Sequence, residues 1–267
     1  QLSKYFETGS AEPLMLTSAK DYQDWGITLH LNTPIASVDI AAKTVTSAQG
    51  DSYSYTRLVL ATGSYPFVPP IQGNDRAQCL VYRTIEDLKA IEACAKNSKS
   101  GAVVGGGLLG LEAAGALKAL GVTTHVVEFA PVLMAEQLDQ QGGALLRTTI
   151  ERMGVQVHTG KNTLEIKAQG EQARNTMVFA DDSQLEVDFI VFSTGIRPQD
   201  KLARQAELTI APRGGIAIND QCLTSDQDIY AIGECASWNQ RFFGLVVPGY
   251  KMAQVAVDHL LGQQSAF

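Results

Sequence analysis

The amino-acid sequence predicts an α/β fold built around a parallel sheet. Residues 101–128 follow a strand, helix, strand pattern over about the length of one βαβ unit, roughly 30 residues. The apolar strands at 58–61 and 189–192 both run into the sequence Thr-Gly-x-x-Pro, which forms a weak internal repeat. Strands that alternate with helices in this way are typical of parallel sheets.

The first part of the chain predicts one helix followed by short strands. We expect the helix at 18–25. Short strands are expected where apolar and polar residues alternate, at 27–31, 35–39, 44–47 and 53–55. The strand at 58–61 is the first strongly apolar one, and a Pro-rich turn at 66–70 follows it.

The rest of the chain alternates helices with apolar strands. A helix is expected from Thr84, which stands at capping-box spacing from Asp87. Further helices are expected at 109–120, 138–153 and 248–261 because apolar residues recur there at helical spacing. The expected strands are 102–104, 122–128, 155–158, 189–192 and 228–232, with a β-rich stretch at 164–187.

Composition excludes several classes of function. Lys and Arg number 21 against 28 Asp and Glu, so the net charge of −7 argues against nucleic-acid binding. The longest apolar run, 101–111, is well short of the roughly 20 residues that cross a bilayer, so we expect no membrane partner. The four cysteines form no close pair, which argues against a metal or iron–sulfur site and favours a reducing cytoplasm.

A glycine-rich turn carries the clearest chemical signal. Gly105, Gly107 and Gly110 form a G-x-G-x-x-G motif between a Val-rich strand and a helix, with Leu108 and Leu109 completing it. Glycines allow a tight turn and the close approach of a pyrophosphate, and the helix N-terminus presents free N–H groups to it. The motif in this context predicts a dinucleotide site.

Two carboxylates near this motif are candidate ligand contacts. Glu128 ends the second strand, where a carboxylate can accept both ribose hydroxyls. Because the next arginine is Arg147, a 2′-phosphate would meet a negative charge without a nearby cation, which favours NAD over NADP. For Glu112 two roles stay open: a helix cap favoured by the dipole, or a contact to the nicotinamide side of the ligand.

A second glycine-acid pair follows a buried strand near the end of the chain. Gly233 and Glu234 come directly after Ile-Tyr-Ala-Ile, at the carboxyl end of a strand, where α/β sheets bind ligands. These residues, the glycine-rich turn and the two Thr-Gly strands together resemble the two-dinucleotide flavoproteins of the pyridine nucleotide-disulfide oxidoreductase superfamily. The segments Gly-Glu-Cys at 233–235 and Pro-Gly-Tyr at 248–250 resemble, within it, the large subunit of NAD(P)H-dependent nitrite reductases.

The resemblance implies a Rossmann-like NAD-binding domain at 76–192, inserted into a FAD-binding domain formed by 1–75 and 193–267. It implies that hydride passes from NADH to FAD, a step that needs orientation rather than a catalytic side chain, so we nominate none. Transferred by position, the residues expected at FAD are Thr62, Gly63, Gly233 and Glu234. Those expected at NAD are the glycine-rich turn, Glu112, Glu128, Thr194 and Gly195.

The same resemblance implies that the chain is a fragment. If the two halves are built alike, the glycine-rich turn of the FAD domain would precede Gln1, so the FAD site is expected to be incomplete. Nitrite-reducing members of the family also carry sirohaem and a 4Fe-4S cluster on clustered cysteines. These are expected in a downstream redox domain beyond Phe267, which would reduce nitrite to ammonia.

Two alternatives stay open. Stand-alone NADH-dependent rubredoxin or ferredoxin reductases and NADH oxidases share nearly all of these motifs. The chain could also be a nucleotide-binding module without turnover. A homodimer is compatible with the sequence, which does not specify the oligomeric state.

Overall fold

The chain forms two compact units in a computed structural model that describes residue 2, residues 4–169 and residues 174–267. Gln1 lies outside the described residues, as do residues 170–173 of the expected β-rich stretch. Unit 1 comprises Gln1–Ser18 and Pro66–Gly195, and unit 2 comprises Ala19–Tyr65 and Ile196–Phe267.

Helices and strands are numbered separately in chain order. The helices are α1 (Lys4–Thr8), α2 (Ala19–Asp24), α3 (Ile85–Ala95), α4 (Leu108–Ala119), α5 (Gln140–Arg152), α6 (Lys201–Gln205) and α7 (Val246–Leu260), with single 3-10 turns at Glu12–Leu14 and Gly233–Cys235. The strands of the first half are β1 (Ile35–Asp39), β2 (Thr44–Ser47), β3 (Ser52–Ser54), β4 (Leu58–Leu60), β5 (Ser64–Pro66), β6 (Cys79–Val81), β7 (Ser100–Val104) and β8 (Thr123–Val127). Those of the second half are β9 (Gln156–His158), β10 (Thr163–Gln169), β11 (Arg174–Phe179), β12 (Gln184–Val187), β13 (Phe189–Phe192), β14 (Ile196–Pro198), β15 (Ile216–Ile218), β16 (Ile229–Ala231) and β17 (Ala236–Trp238).

Unit 1 is built on a five-stranded parallel sheet with the strand order β6-β13-β7-β8-β9. Side chains alternate between its two faces, as the pleat requires. Val103, Val126 and Val191 pack with the buried side of helices α3 and α4. Ala102 and Ile190 face the opposite way and pack with the antiparallel sheet β10-β11-β12. The parallel sheet, covered on both faces, confirms the predicted α/β class.

The limits of unit 1 differ from those expected of the inserted domain. Residues 1–18 and 66–75 belong to unit 1 rather than clustering with the remainder of 1–75. The reason is hydrophobic burial. Tyr5 is buried in the same cluster as Leu88 of α3, and Val68 packs against the cluster that contains Ile166 of β10.

Unit 2 contains several small sheets around one core. Strands β1, β2 and β3 form an antiparallel meander, while β4 pairs with β16 and β15 pairs with β17 in parallel. Helix α7 buries Met252, Val255 and Ala256 in a core that also holds Tyr230 of β16. Helix α7 starts at Val246, earlier than expected, because a proline is tolerated in the first turn and Pro248 occupies the third position.

One expected strand does not form. Residues 27–31 have no ladder partner in the structure, and the side chains of Ile27, Leu29 and Leu31 are exposed. Alternation of apolar residues predicts a strand only where a neighbouring strand can satisfy the hydrogen bonds of its backbone.

The predicted capping box of Thr84 and Asp87 is confirmed, with both reciprocal hydrogen bonds present. Within the described residues, no helix is long and apolar enough to cross a membrane.

Candidate nucleotide-binding sites

The glycine-rich turn joins β7 to α4 and depends on glycine at two points. Gly105 has φ +114°, and a Cβ there would lie 2.3 Å from the carbonyl oxygen of Ser193. A Cβ on Gly110 would lie 1.9 Å from the carbonyl oxygen of Gly105. The first contact brings the end of β13 against the turn, and the second brings the helix against the strand.

Gly107 differs from both, because a Cβ there would meet no atom within 4 Å. It occupies the N-cap position of α4. Because glycine has no side chain, Gly107 provides no side-chain acceptor for the N–H groups of the first turn. Leu108 and Leu109, the next two residues, have exposed side chains. An open space above uncapped N–H groups at the positive end of a helix fits a pyrophosphate.

Glu128 follows β8 and is held against this turn by two backbone donors. Its Oε2 accepts a hydrogen bond from the N–H of Gly106, and its Oε1 accepts one from the N–H of Ala130 at 2.7 Å. Each carboxylate oxygen has a second lone pair, so both can still accept a ribose hydroxyl. The sequence predicted the carboxylate at this strand end but not the two amides that fix it.

Thr194 and Gly195 follow β13 at the same edge of the sheet. The Thr194 hydroxyl donates to the carbonyl of Phe67, and the carbonyl of Gly195 accepts the N–H of Phe67 at 2.9 Å. Gly195 has φ +110°, and its Cβ direction is open. Because Ser193 lies against Gly105, unit 1 brings the two predicted segments and Glu128 to one end of the parallel sheet.

Glu112 has a different environment from the one expected. Helix α4 begins at Leu108, so Glu112 is its fifth residue and lies beyond the first turn, where a cap would stand. Its carboxylate accepts a hydrogen bond of 3.2 Å from the hydroxyl of Tyr82, a buried residue 30 positions earlier. Burial, and then the nearby Glu112 carboxylate, raise the pKa of Tyr82 well above its ordinary value. Tyr82 was not singled out from the sequence, where nothing connects it with Glu112.

Thr62 and Gly63 of unit 2 follow β4 and are held by one residue after β14. The Thr62 hydroxyl donates to the carbonyl of Gln199 at 2.6 Å, and the N–H of Gln199 donates to the carbonyl of Gly63 at 2.9 Å. Gly63 has φ +68° and open space in its Cβ direction. The Thr-Gly segment is therefore a rigid turn with one face accessible.

Gly233 and Glu234 follow β16 and lie close to this turn. The hydroxyl of Ser64 donates to Oε2 of Glu234 at 2.8 Å. Gly233 has φ +72°, and the N–H of Gly233 donates to the sulfur of Met252 in α7 at 3.3 Å. Unit 2 thus brings its four predicted residues together. Ser64 was missed, although a hydroxyl directly after Thr-Gly could have drawn attention to it.

No group of three or more His, Cys, Asp or Glu within the described residues could hold a metal ion. All four cysteines are free thiols. Burial raises the pKa of Cys79 and of Cys222 to about 11, which makes both poor nucleophiles at neutral pH.

The sequence and the fold match known proteins along nearly the whole chain. Residues 2–259 match the family model described as pyridine nucleotide-disulphide oxidoreductase. The chain is 64% identical to the nitrite reductase (NADH) large subunit of Escherichia coli, over all of this chain and 31% of that protein. It is 52% identical to the nitrite reductase [NAD(P)H] large subunit of Klebsiella oxytoca, over all of this chain and 28% of that protein.

A solved structure shows the same fold. The ferredoxin reductase for the CYP199A2 system of Rhodopseudomonas palustris superposes with a TM-score of 0.92 at 28% identity, covering all of this chain and 67% of that one. The chain therefore spans a little under a third of the length of these two curated relatives and about two thirds of this reductase.

Proposed function

The chain belongs to the pyridine nucleotide-disulphide oxidoreductase family, and from this membership we propose that it takes part in hydride transfer from NADH to FAD. One observation carries the NADH half of the proposal. Gly107 leaves open space above the uncapped N-terminus of α4, and Glu128 is anchored beside it on Gly106. These residues would hold the pyrophosphate and the adenosine ribose.

NADH is proposed over NADPH on grounds of charge. Glu128 places a carboxylate where a 2′-phosphate would add negative charge. Two basic residues of this part of the fold, Lys161, whose N–H donates to the carbonyl of Glu128, and Arg147 of α5, already have partners for their charges. Arg147 donates to the carbonyl of Val157 and pairs with Glu151, while the ammonium of Lys161 pairs with Asp181. Neither has to be released to bind NADH.

Unit 2 supplies only part of the proposed FAD site. Thr62, Gly63, Gly233 and Glu234 present a turn and a carboxylate that suit the polar chain of a flavin nucleotide. When both nucleotides are bound, the nicotinamide would supply a hydride, and the flavin would accept it and release the electrons one at a time. The chain's own residues would bind and orient, since no side chain has to move a proton in this step.

The open edge of one strand supports the proposal that the FAD site in this chain is incomplete. In the described residues β4 pairs only with β16, whose other edge is bridged by Leu223. Val59 in β4 is 41% exposed, whereas its counterpart in the internal repeat, Val191 of β13, is fully buried between two strands. By this repeat, a further parallel strand with its own glycine-rich turn would pair with the open edge of β4.

The parent activity is proposed from the relatives. At 64% identity to an NADH nitrite reductase large subunit, the chain is proposed as the electron-input part of such an enzyme. Sirohaem and a 4Fe-4S cluster would then lie in another part of the polypeptide and reduce nitrite to ammonia.

The fold match to a ferredoxin reductase supports the second candidate function, a reductase that delivers electrons to a separate carrier protein. Free thiols on all four cysteines support a location in the reducing cytoplasm.

Calorimetric titration of the purified chain with NADH and NADPH tests the proposal. We expect NADH to bind at least about tenfold more tightly, a difference of about 1.4 kcal/mol. Equal or tighter NADPH binding would contradict the specificity, and no NADH binding would contradict the site. NADH-dependent reduction of ferricyanide on addition of FAD, absent without it, would separate the enzyme from a module that binds without turnover.

A further inference from the structure

Two histidines of unit 1 lie edge to edge beside the proposed ribose carboxylate. His125 of β8 is buried, and His158 ends the neighbouring strand β9 and is half-buried. In the parallel register, Val127 stands opposite His158, so His125 is the diagonal neighbour on the same face of the sheet. Neither residue has a role in the proposed hydride transfer.

The geometry of the two rings is that of a hydrogen bond between imidazoles. Nδ1 of His125 lies 3.2 Å from Nε2 of His158, the ring planes differ by 22°, and the ring centroids are 5.4 Å apart. The centroid distance exceeds the nitrogen distance by about the width of one imidazole ring. The two nitrogens therefore lie between the ring centres and face each other. One ring donates its N–H and the other accepts with its lone pair, which requires that at most one of the two facing nitrogens carries a proton.

The pair is connected to Glu128 through the main chain. The carbonyl of His158 accepts the N–H of Glu128 at 2.8 Å. Two further backbone hydrogen bonds join the same two segments. The N–H of Gly160 donates to the carbonyl of Ala130, and the N–H of Lys161 donates to the carbonyl of Glu128, each at 2.9 Å. Ala130 is also one of the two donors that hold the Glu128 carboxylate. The segment that begins at His158 thus fixes the segment that carries Glu128.

We propose that His125 and His158 are positioning residues for Glu128 and that proton uptake by the pair weakens nucleotide binding. The inference rests on the proposed NADH site. When the contact opens, both imidazoles can be fully protonated in water, whereas the closed pair can hold only one proton between its two facing nitrogens. Protons therefore favour the open pair and bound nucleotide favours the closed one, so the two compete.

Burial and most of the charges around the pair also favour the neutral rings. Burial lowers the pKa of both rings below the ordinary histidine value, and each neighbour then modifies it. His158 lowers the pKa of His125 further. The pKa of His158 is lowered further by Lys161 and Arg147 and raised by Glu151. A pKa lowered in the closed state means that closure is fully favoured above about pH 6.5 and is lost as the pH falls below that value.

The test is the affinity for NAD+, which is stable in acid, measured by calorimetry on the full chain between pH 7.5 and 5.5. Ordinary carboxylates stay ionised over this range. In the unmodified chain we expect affinity to fall by about threefold or more between these limits. In the double variant His125→Asn and His158→Gln, the amides can keep the hydrogen bond but cannot titrate, so affinity at pH 7.5 should be retained and the pH dependence lost. His30→Gln in unit 2 is the matched control, and this variant should keep the pH dependence of the unmodified chain.

A pH dependence that survives in the double variant, or one that is absent from the unmodified chain, would overturn this inference while leaving the NADH site intact. Failure of the unmodified chain to bind NAD+ at pH 7.5 would overturn the site and the inference together. Should the double variant not fold, imidazole ¹⁵N resonances of the unmodified chain give the same answer. We expect the two rings to titrate together below pH 6.5, and independent titration at the ordinary histidine value would refute the pair.

Discussion

The carbonyl oxygen of Gly105 occupies the direction in which a side chain on Gly110 would project, 1.9 Å from the position of a Cβ. The carbonyl group of Gly105 and the Cα of Gly110 both belong to backbone that cannot move without separating α4 from β7. The close packing of helix and strand, rather than helix propensity, therefore decides which residue position 110 can hold.

Gly110→Ala is expected to destabilise the chain by about 3 kcal/mol or more, because overpacking against backbone must shift the helix. Chemical denaturation measures the change. Gly115→Ala is the matched control, since Gly115 lies in the same helix and its Cβ would meet no atom within 4 Å. That substitution should leave stability unchanged or raise it by up to about 1 kcal/mol. Equal effects at both positions would show that the contact with Gly105 is unimportant.

Gly107→Ala should affect binding and spare the fold. The backbone of Gly107 has φ −84°, which alanine adopts freely, and the space around its Cβ is open. Because glycine is a better N-cap than alanine, we expect the free energy of unfolding to fall by about 1 kcal/mol or less. The affinity for NADH should fall about tenfold or more, because the methyl group would enter the space proposed for the pyrophosphate. Unchanged NADH affinity in a folded variant would place the pyrophosphate elsewhere.

Glu128→Gln should weaken NADH binding by about 1–3 kcal/mol, measured by calorimetry. The Glu128 carboxylate accepts from both Gly106 and Ala130, whereas a glutamine has one oxygen and would turn an N–H toward one of these donors. The loss should be smaller for NADPH, since the negative charge also disappears. Glu136→Gln, an exposed acid in the loop that follows, provides the control and should bind both nucleotides as before.

Asp228→Asn should lower stability at pH 7 in a manner that depends on pH. The Asp228 carboxylate pairs with Lys43 and lies 2.6 Å from the guanidinium of Arg57, and the hydrogen bond from Lys43 is the main cause of its lowered pKa. A lowered pKa means that the stabilisation is present above about pH 3.8 and is lost as the pH falls further.

Urea denaturation at pH 7 and at pH 3.5 measures this contribution. The difference between Asp228→Asn and the unmodified chain should be clear at pH 7 and smaller at pH 3.5. Asp24→Asn, at the exposed end of α2, should change stability little at either value. A difference that does not depend on pH would mean that Asp228 acts through packing rather than charge.

Local patterns in the sequence predicted much of this arrangement. The glycine-rich turn and the two Thr-Gly strand ends are short segments whose residues meet within a few positions, so their chemistry is visible without the fold. Contacts between distant segments were not predictable in this way. The amides that fix Glu128 come from both sides of it, and Tyr82 reaches Glu112 only because β6 and α4 belong to the same unit. The expected strand at 27–31 failed for a related reason, because pairing depends on a neighbour that no local pattern specifies.

The open edge of β4 has a practical consequence for any work with this chain. An unpaired strand edge beside an exposed valine is a template for another strand, and every other copy of the chain in a purified sample presents the same edge. Self-association should therefore rise with protein concentration and compete with the further strand proposed to pair there. A synthetic strand supplied in excess would act as a solubilising agent, and dilute samples would give the cleanest nucleotide titrations.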